Sequence, residues 1–553
     1  MNEPKSGVVA HSSTLLPADL DTPTRLPPSA PIDRIDGREF AKSPRLARRV
    51  FTFPAMLGGL LVAGVFVARR GFDVDPDLWW HVKVGEGILA THHFPAVDPY
   101  SFTVAGHPWM AYEWFGEILF AAVARAGGLR GLESLLIILG SAVVLALYAF
   151  CTLRSGNSKA GFVASAVLII LAAANFNLRP QMLGYLFLVL TLIALERLRQ
   201  GKPRALWVLP LLFLVWVNTH GSFIIGLGTI LAYWLFGLKE LKAGNMTTAA
   251  WKPAEREQLS AVFLLSLIAT MITPYGTKLA VYPFDMAFSQ PVNVASIMEW
   301  QPMPFNLWGA KLFLALILGF FFLQIAYKFT WHIAELTLFF FGTVMACLHA
   351  RFLLLFVPFF APIFATILAR WAPPYAKDED HPILNGIILC AIVGGILWFL
   401  PTQKDIQKNV AKEFPSEAVA YLREHSVPEP MFNAYGFGGY LVWSRGPEHK
   451  VFIDGRGDIY ERGGVLADYM YITNLKPGAP AVLRLYGVQS CLLARDQPLV
   501  TMLSALPEWE QVYADRLSVL FVLRKNSPKW QPSKSQAVPT SLQSSLSTSG
   551  NRL

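Results

Sequence analysis

The sequence carries little charge for its size. Asp, Glu, Lys and Arg make up 15% of its 553 residues, where soluble domains hold about a quarter. That shortage excludes an ordinary solvated globule along most of the chain. Cysteine is also scarce: Cys151, Cys347, Cys390 and Cys491 are scattered, three of them within apolar runs. They offer neither the spacing of a zinc site nor a disulfide framework. No clear internal repeat is present, against the inverted-repeat build of many transporters. No apolar segment follows the start closely. Residues 1–48, rich in Pro, Ser, Thr and charge, therefore read as a disordered cytoplasmic tail, not a cleavable signal. The net charge of +9 resides mostly in short links between apolar runs. That distribution reads as membrane topology, with no nucleic-acid partner.

Apolar and aromatic residues are what the chain has in quantity: 54% of it is hydrophobic, with 39 Phe and 16 Trp. Eleven apolar stretches stand out, at about 50–68, 131–153, 160–175, 181–196, 205–217, 222–238, 259–273, 311–327, 331–348, 351–369 and 383–400. Several are shorter than the ~20 residues of a full crossing. The expected fold is an all-α polytopic membrane bundle of about 11 transmembrane helices, at 49–402, whose partner is the lipid bilayer. Residues 410–525 change character: short apolar runs (VFID, CLLA, SVLFVL) alternate with helical patterns such as PSEAVAYLREH. They predict a small α/β soluble domain. Residues 526–553 are Ser- and Pro-rich and read as a second disordered tail.

Charge sets the expected orientation. Lys42, Arg45, Arg48 and Arg49 precede the first stretch, which puts the N-terminus in the cytoplasm. Counting alternately, the links with Arg154/Lys159, Arg197/Arg199/Lys202/Arg204, Lys239/Lys242/Lys252/Arg256, Lys328 and Arg370/Lys377 all fall inside. Arg69 and Arg70 dissent. Eleven crossings leave the C-terminal domain outside.

The unusual polar motifs then share the outer face. DPDLWWH (Asp75, Asp77, Trp79, Trp80, His81), VDPYSFT (Asp98) and AYEWFGE (Glu113, Glu117) lie in the long outer loop 69–130. FNLRPQ (Arg179), NTHGS (His220), ITPYG (Tyr275) and HARF (His349, Arg351) occupy outer turns. Stretches of ~15 residues span only about 22 Å at 1.5 Å per residue, so the turns with Arg179 and His220 are expected below the outer surface. Irregular backbone survives there only when covered or lining a wet cavity.

Each motif also has a plainer reading. Asp75 or Asp77 caps a short helix starting at Asp77 or Leu78. Trp79, Trp80 and Trp109 anchor at the interface. His81 is a solvated loop residue, Arg179 and Arg351 hold lipid phosphates or helix ends, and His220-Gly221 is a tight turn. Glu117, His332 and Glu335 read as packing residues. The Arg-Gly-Asp triplet in FIDGRGD has almost no predictive value alone. Taken together, the motifs fit transfer from a lipid-linked phosphate donor. A carboxylate takes the acceptor's proton, Arg holds the leaving phosphate, and indoles provide flat walls.

The chain resembles the C-type membrane glycosyltransferases, a superfamily that uses polyprenyl-phosphate sugars. DPDLWWH stands where that superfamily has an acidic motif after the first span. DPYSFTVAGHPWMAYEW, NLRPQM, NTHGSF, TPYG, HARFLLLF, NAYGFGGYLVW and VFIDGRGDIY resemble its uncharacterised bacterial members, over most of residues 50–525. The resemblance implies a multi-pass protein of the bacterial cytoplasmic membrane. It implies a polyprenyl-phosphate-sugar donor, an extracytoplasmic acceptor and a catalytic base at Asp75 or Asp77. Trp79, Trp80, His81, Asp98, Glu113, Arg179, His220, Tyr275, His349 and Arg351 are the substrate-binding candidates. Some members need a divalent cation, so the resemblance allows Mg or Mn beside the acids. The WWD-type motif of oligosaccharyltransferases is absent from 410–525. Two other readings stand beside this one: a surface-polysaccharide ligase or polymerase, and a transporter.

Overall fold

A computed structural model describes residues 49–69, 74–172 and 176–524. The tails expected at 1–48 and 526–553, with Lys42, Arg45, Arg48 and Arg70, lie outside the described residues. Each of the eleven apolar stretches overlaps a helix among the described residues. Trp114–Ser155, Gln181–Arg199, Trp308–Tyr327, Ala350–Leu368 and Pro382–Phe399 are long and apolar enough to cross a membrane, by length and composition. Phe53–Arg69, Ser158–Ala172, Pro203–Val217, Phe223–Phe236, Pro253–Ala269 and Ile333–Leu348 are shorter. Large apolar side chains face outward on this bundle, among them Trp398 at 84% and Trp308 at 79% exposure. Such a flank is costly in water and suits hydrocarbon.

The stretch expected at 131–153 is the second half of a 42-residue helix, Trp114–Ser155. Its backbone breaks at Gly128, with φ 59° and ψ −150°, a conformation open to glycine at little cost. The half before the break packs beside the first-loop helix Pro76–Thr91. Gly85 allows the approach: a Cβ there would stand 2.0 Å from the Glu117 carbonyl oxygen. The half after the break enters the bundle.

The two ends of the bundle differ in chemistry. At one end, Glu335 receives Arg154 in a fork, at 2.9 Å from Nε and 3.1 Å from Nη2. Arg199 joins the same carboxylate and also Glu196, at 3.2 Å. This network ties the last turns of Trp114–Ser155 and Gln181–Arg199 to the first turn of Ile333–Leu348. A small sheet of β1 (Leu241–Ala243), β2 (Met246–Thr248) and β3 (Trp331–His332) is the other irregular feature here. Asp75, Arg179, His220 and Arg351 gather at the opposite end, against the C-terminal residues.

Those C-terminal residues build a four-stranded sheet from β4 (Met431–Asn433), β5 (Ser490–Ala494), β6 (Trp509–Ala514) and β7 (Ser518–Leu523), in the order β4-β5-β7-β6. β4 and β5 are parallel; the other pairs are antiparallel. CLLA and SVLFVL are strands, and Ser416–Glu424 is the expected helix. VFID is a correction: it lies outside this sheet, and Val451 makes a single bridge to Ser101 of the long loop. It is apolar because Val451, Phe452 and Ile453 are sandwiched out of solvent.

The C-terminal unit is thus joined to the loop, not merely tethered beside it. Val451 N–H donates to the Tyr100 carbonyl at 3.0 Å, and Thr103 Oγ1 donates to the Phe452 carbonyl at 2.6 Å. Arg456, at 0% exposure, holds both sides. Its Nη1 is 2.6 Å from Asp98 Oδ1, its Nη2 is 2.6 Å from Asp454 Oδ2, and its plane lies over Trp109 at 4.7 Å.

Candidate active site

The site begins at the first turn of Pro76–Thr91. Asp75 is the N-cap: its Oδ1 accepts the Asp77 N–H at 2.9 Å, and Pro76 follows at the first helical position. Both choices are those a helix start favours. Asp75 Oδ2 accepts Asn177 Nδ2 at 3.0 Å and stands 2.8 Å from Arg179 Nε. Its two oxygens are therefore both engaged, in a buried setting. Asp77 is differently placed. Its Oδ1 accepts Trp80 Nε1 at 3.2 Å, its Oδ2 is 3.0 Å from Arg179 Nη2, and its side chain remains 22% exposed toward a cavity. Burial pushes its carboxyl up, to about 7; Arg179 pulls against that rise, and Asp75 and Glu299 add to it. Gly455 of the C-terminal unit closes over this carboxylate, where a Cβ would stand 1.8 Å from Asp77 Oδ1. Only a residue without a side chain fits there.

Two chambers meet beside these acids. The polar one, of about 570 Å³, is lined by Asp75, Asp77, Trp80, His81, Arg179 and Glu299 on the bundle side. Tyr435, Gly455, Gly457, Tyr469 and Met470 line it from the C-terminal unit. The apolar one, of about 400 Å³, runs past Leu188, Ile225, Met345 and Leu355. Phe341 is on its wall and is 39% exposed, so this chamber reaches the bundle's apolar flank. Glu113, Gln181, His220, Trp300 and Arg351 line both.

The charge at this junction is simple. Burial, with Arg351 and Arg179 nearby, holds His220 down at about 3, so it is neutral. Burial pushes Glu113 up to about 8, so it carries a proton at neutral pH. His220 Nε2 lies 3.5 Å from Glu113 Oε1, and His81 Nε2 lies 3.4 Å from Glu113 Oε2. His81 Nδ1 reaches Glu117 at 3.3 Å. Burial holds His81 down too, with Arg179 as the next cause. Arg351 stacks on Trp300, 4.3 Å from guanidinium to ring centroid. Among the described residues no carboxylate lies within ion-pair distance of it. The result is a cation without a close ion pair where the apolar and polar chambers join, with Glu299 and Glu113 near enough to feel its charge.

The structure brings Asp75, Asp77, Trp80, His81, Glu113, Arg179, His220 and Arg351 to the polar chamber. His349 lines the apolar one, its Nδ1 2.6 Å from the Trp300 carbonyl oxygen. Three candidates lie elsewhere. Trp79 points away, into Phe414, Tyr440 and Trp443 at 5.4, 5.0 and 4.7 Å between centroids. Consecutive residues of a helix lie about 100° apart, so Trp79 and Trp80 cannot share one wall. Asp98 belongs to the buried Arg456 joint and also bonds Ser101. The Tyr275 hydroxyl donates to the Pro95 carbonyl at 3.1 Å and accepts from Ala111 N–H at 3.0 Å, holding the loop. Glu299, Asn177, Gln181, Trp300, Tyr435 and Gly455 are site residues that sequence reasoning missed. Arg179 was expected near a phosphate, but Asp75, Asp77 and Glu299 surround it, the last at 2.8 Å from Nη1.

A divalent metal does not fit this arrangement. Asp75, Asp77 and Glu299 converge on Arg179, and among the described residues no three His, Cys, Asp or Glu side chains are placed to hold an ion as they stand. One oxygen of each converging acid faces the Arg179 guanidinium instead.

No family model matches the chain, and no curated protein matches it. Solved structures with a similar outline include ArnT from Cupriavidus metallidurans in the apo state. Its TM-score is 0.47 at 13% identity, over 84% of this chain and 96% of that one. The same protein bound to undecaprenyl phosphate gives 0.44 at 13%, over 85% and 98%. The oligosaccharyltransferase AglB from Archaeoglobus fulgidus, in complex with an inhibitory peptide and a dolichol-phosphate, gives 0.46 at 12%, over 79% and 69%. Another structure of that archaeal protein contains Zn and sulfate. Likeness at this level is one of outline and assigns no substrate.

Proposed function

We propose that the chain is a membrane glycosyltransferase that moves a sugar from a polyprenyl-phosphate-linked donor to an extracytoplasmic acceptor. The observation that carries this reading is the meeting of an apolar and a polar chamber at Arg351. A lipid tail enters the apolar chamber from the flank beside Phe341. Its phosphate settles on Arg351, held flat by Trp300, where a planar fork binds phosphate in two places. Gln181 and the proton of Glu113 supply neutral donors at the same border. The sugar then projects into the polar chamber, facing Asp77, Trp80 and the Tyr435 wall.

The acceptor oxygen forms its bond to the anomeric carbon as the bond from that carbon to the phosphate oxygen breaks. The electron pair leaves with the lipid phosphate, whose charge Arg351 offsets. The acceptor's proton passes to Asp77, whose side chain is 22% exposed where that of Asp75 is 2%. Asp75 holds the helix start, and no metal is needed in the step. The cavity end is the outer one, because the opposite end holds the Lys- and Arg-rich links.

Polyprenyl-phosphate binding in nanodiscs, measured by native mass spectrometry, tests the junction. Arg351→Ala should weaken it roughly 10–100-fold, the worth of a charge-assisted hydrogen bond of about 1.5–3 kcal/mol. Arg351→Lys keeps the charge, loses the fork and should fall between. Unchanged affinity in both variants removes the phosphate from this junction.

A further inference from the structure

We infer that the Arg179 guanidinium is the resident cation of the acidic cluster and occupies the place of a divalent ion. This deepens the transfer reading by fixing what neutralises the acids, and it rests on that reading for its consequence in turnover. Three carboxylates from two parts of the chain converge on one point. Asp75 and Asp77 come from the first-loop helix, and Glu299 comes from the segment before Trp308–Tyr327. A single carboxylate oxygen of each stands 2.8 to 3.0 Å from a different nitrogen of Arg179. Asn177, two residues before the arginine, adds an amide to Asp75 at 3.0 Å.

Oxygen donors converging from several elements are what a hard divalent ion asks for. Here the planar fork fills the centre with one charge: its Nη1 donates to Glu299, and Asp75 and Asp77 stand within ion-pair distance of its other nitrogens. The guanidinium cannot leave, so the cage is permanently charged and Asp77 keeps its orientation. Arg179 is accordingly a positioning residue and does not itself meet the donor phosphate.

Wild-type protein in nanodiscs should bind no Mn²⁺ by electron paramagnetic resonance, and chelators should leave sugar transfer unchanged. Arg179→Ala should bind one Mn²⁺ per chain, released by EDTA, at concentrations where the wild type shows none. Removing one positive charge about 4 Å from a divalent ion is worth roughly 30-fold in affinity even at the dielectric of water. Arg179→Gln, which keeps side-chain bulk and a hydrogen-bond donor, guards against a variant that fails to fold. Adding Glu299→Gln to either should abolish the bound ion, which places it in this cage. A wild-type protein that already holds one Mn²⁺ there overturns the inference. So do folded Arg179→Ala and Arg179→Gln variants that bind none. A protein inactive in every transfer assay, with the ion pattern as described, would sink the transfer reading and leave the cation assignment standing.

Discussion

Asp77→Asn should remove most sugar transfer, by roughly 10²–10⁴-fold, while Asp75→Asn should leave it largely intact. The two residues are two positions apart yet do different jobs. Asp75 caps Pro76–Thr91 and gives both oxygens to neighbours in a buried site. Asn caps about as well as Asp, so the helix start survives that change. Asp77 faces the polar chamber, where its charge counts in the chemistry. Asn there keeps the shape and loses the base. The pH profile should agree. A base works when ionised, and burial raises the Asp77 carboxyl to about 7, so transfer should fall as pH drops through that value. Thermal stability of both variants should stay near wild type. Equal transfer by the two variants would remove Asp77 from the chemistry.

The second large effect concerns folding. Arg456→Met should destabilise the protein by about 3–5 kcal/mol, the usual consequence of leaving a buried charge unpaired. Asp98 and Asp454 would both lose their partner, 0% exposed and far from water. The joint spans the long loop and the C-terminal unit, so the unit should come loose as a body. Thermal unfolding in nanodiscs should show the drop, and proteolysis should cut first between residues 400 and 430. Because Gly455 is the neighbouring residue and closes over Asp77, transfer should fall with it. A melting temperature equal to wild type would mean that the joint carries no such load.

Much of the bundle was legible because its signal is local. Apolar runs need only their own composition to be read, and all eleven overlap helices among the described residues. The gathering of polar motifs at one end also followed from alternation along the chain. The roles of Asp75 and Asp77 were readable in part: an Asp-Pro step places Asp at the N-cap and Pro at the first helical position. Starting the helix one or two residues later hid that assignment. Glu299 gave no signal, since it sits in an unremarkable MEW and its partner Arg179 is 120 residues away. Arg456 was hidden for the same reason, at 358 residues from Asp98, inside a triplet that carries no information by itself. Trp79 and Trp80 look alike in sequence, and only helix packing separates them into core and cavity. The C-terminal wall of the polar chamber is a tertiary contact with no counterpart in local pattern.

The account stands or falls on where a lipid phosphate binds. A cryo-EM map of the protein in nanodiscs, with undecaprenyl phosphate added, measures this directly. The account predicts headgroup density against Arg351 and Trp300, with the tail leading past Leu188, Ile225 and Met345 to the flank at Phe341. Density for the lipid on another face, with both chambers empty at saturating lipid, would contradict it.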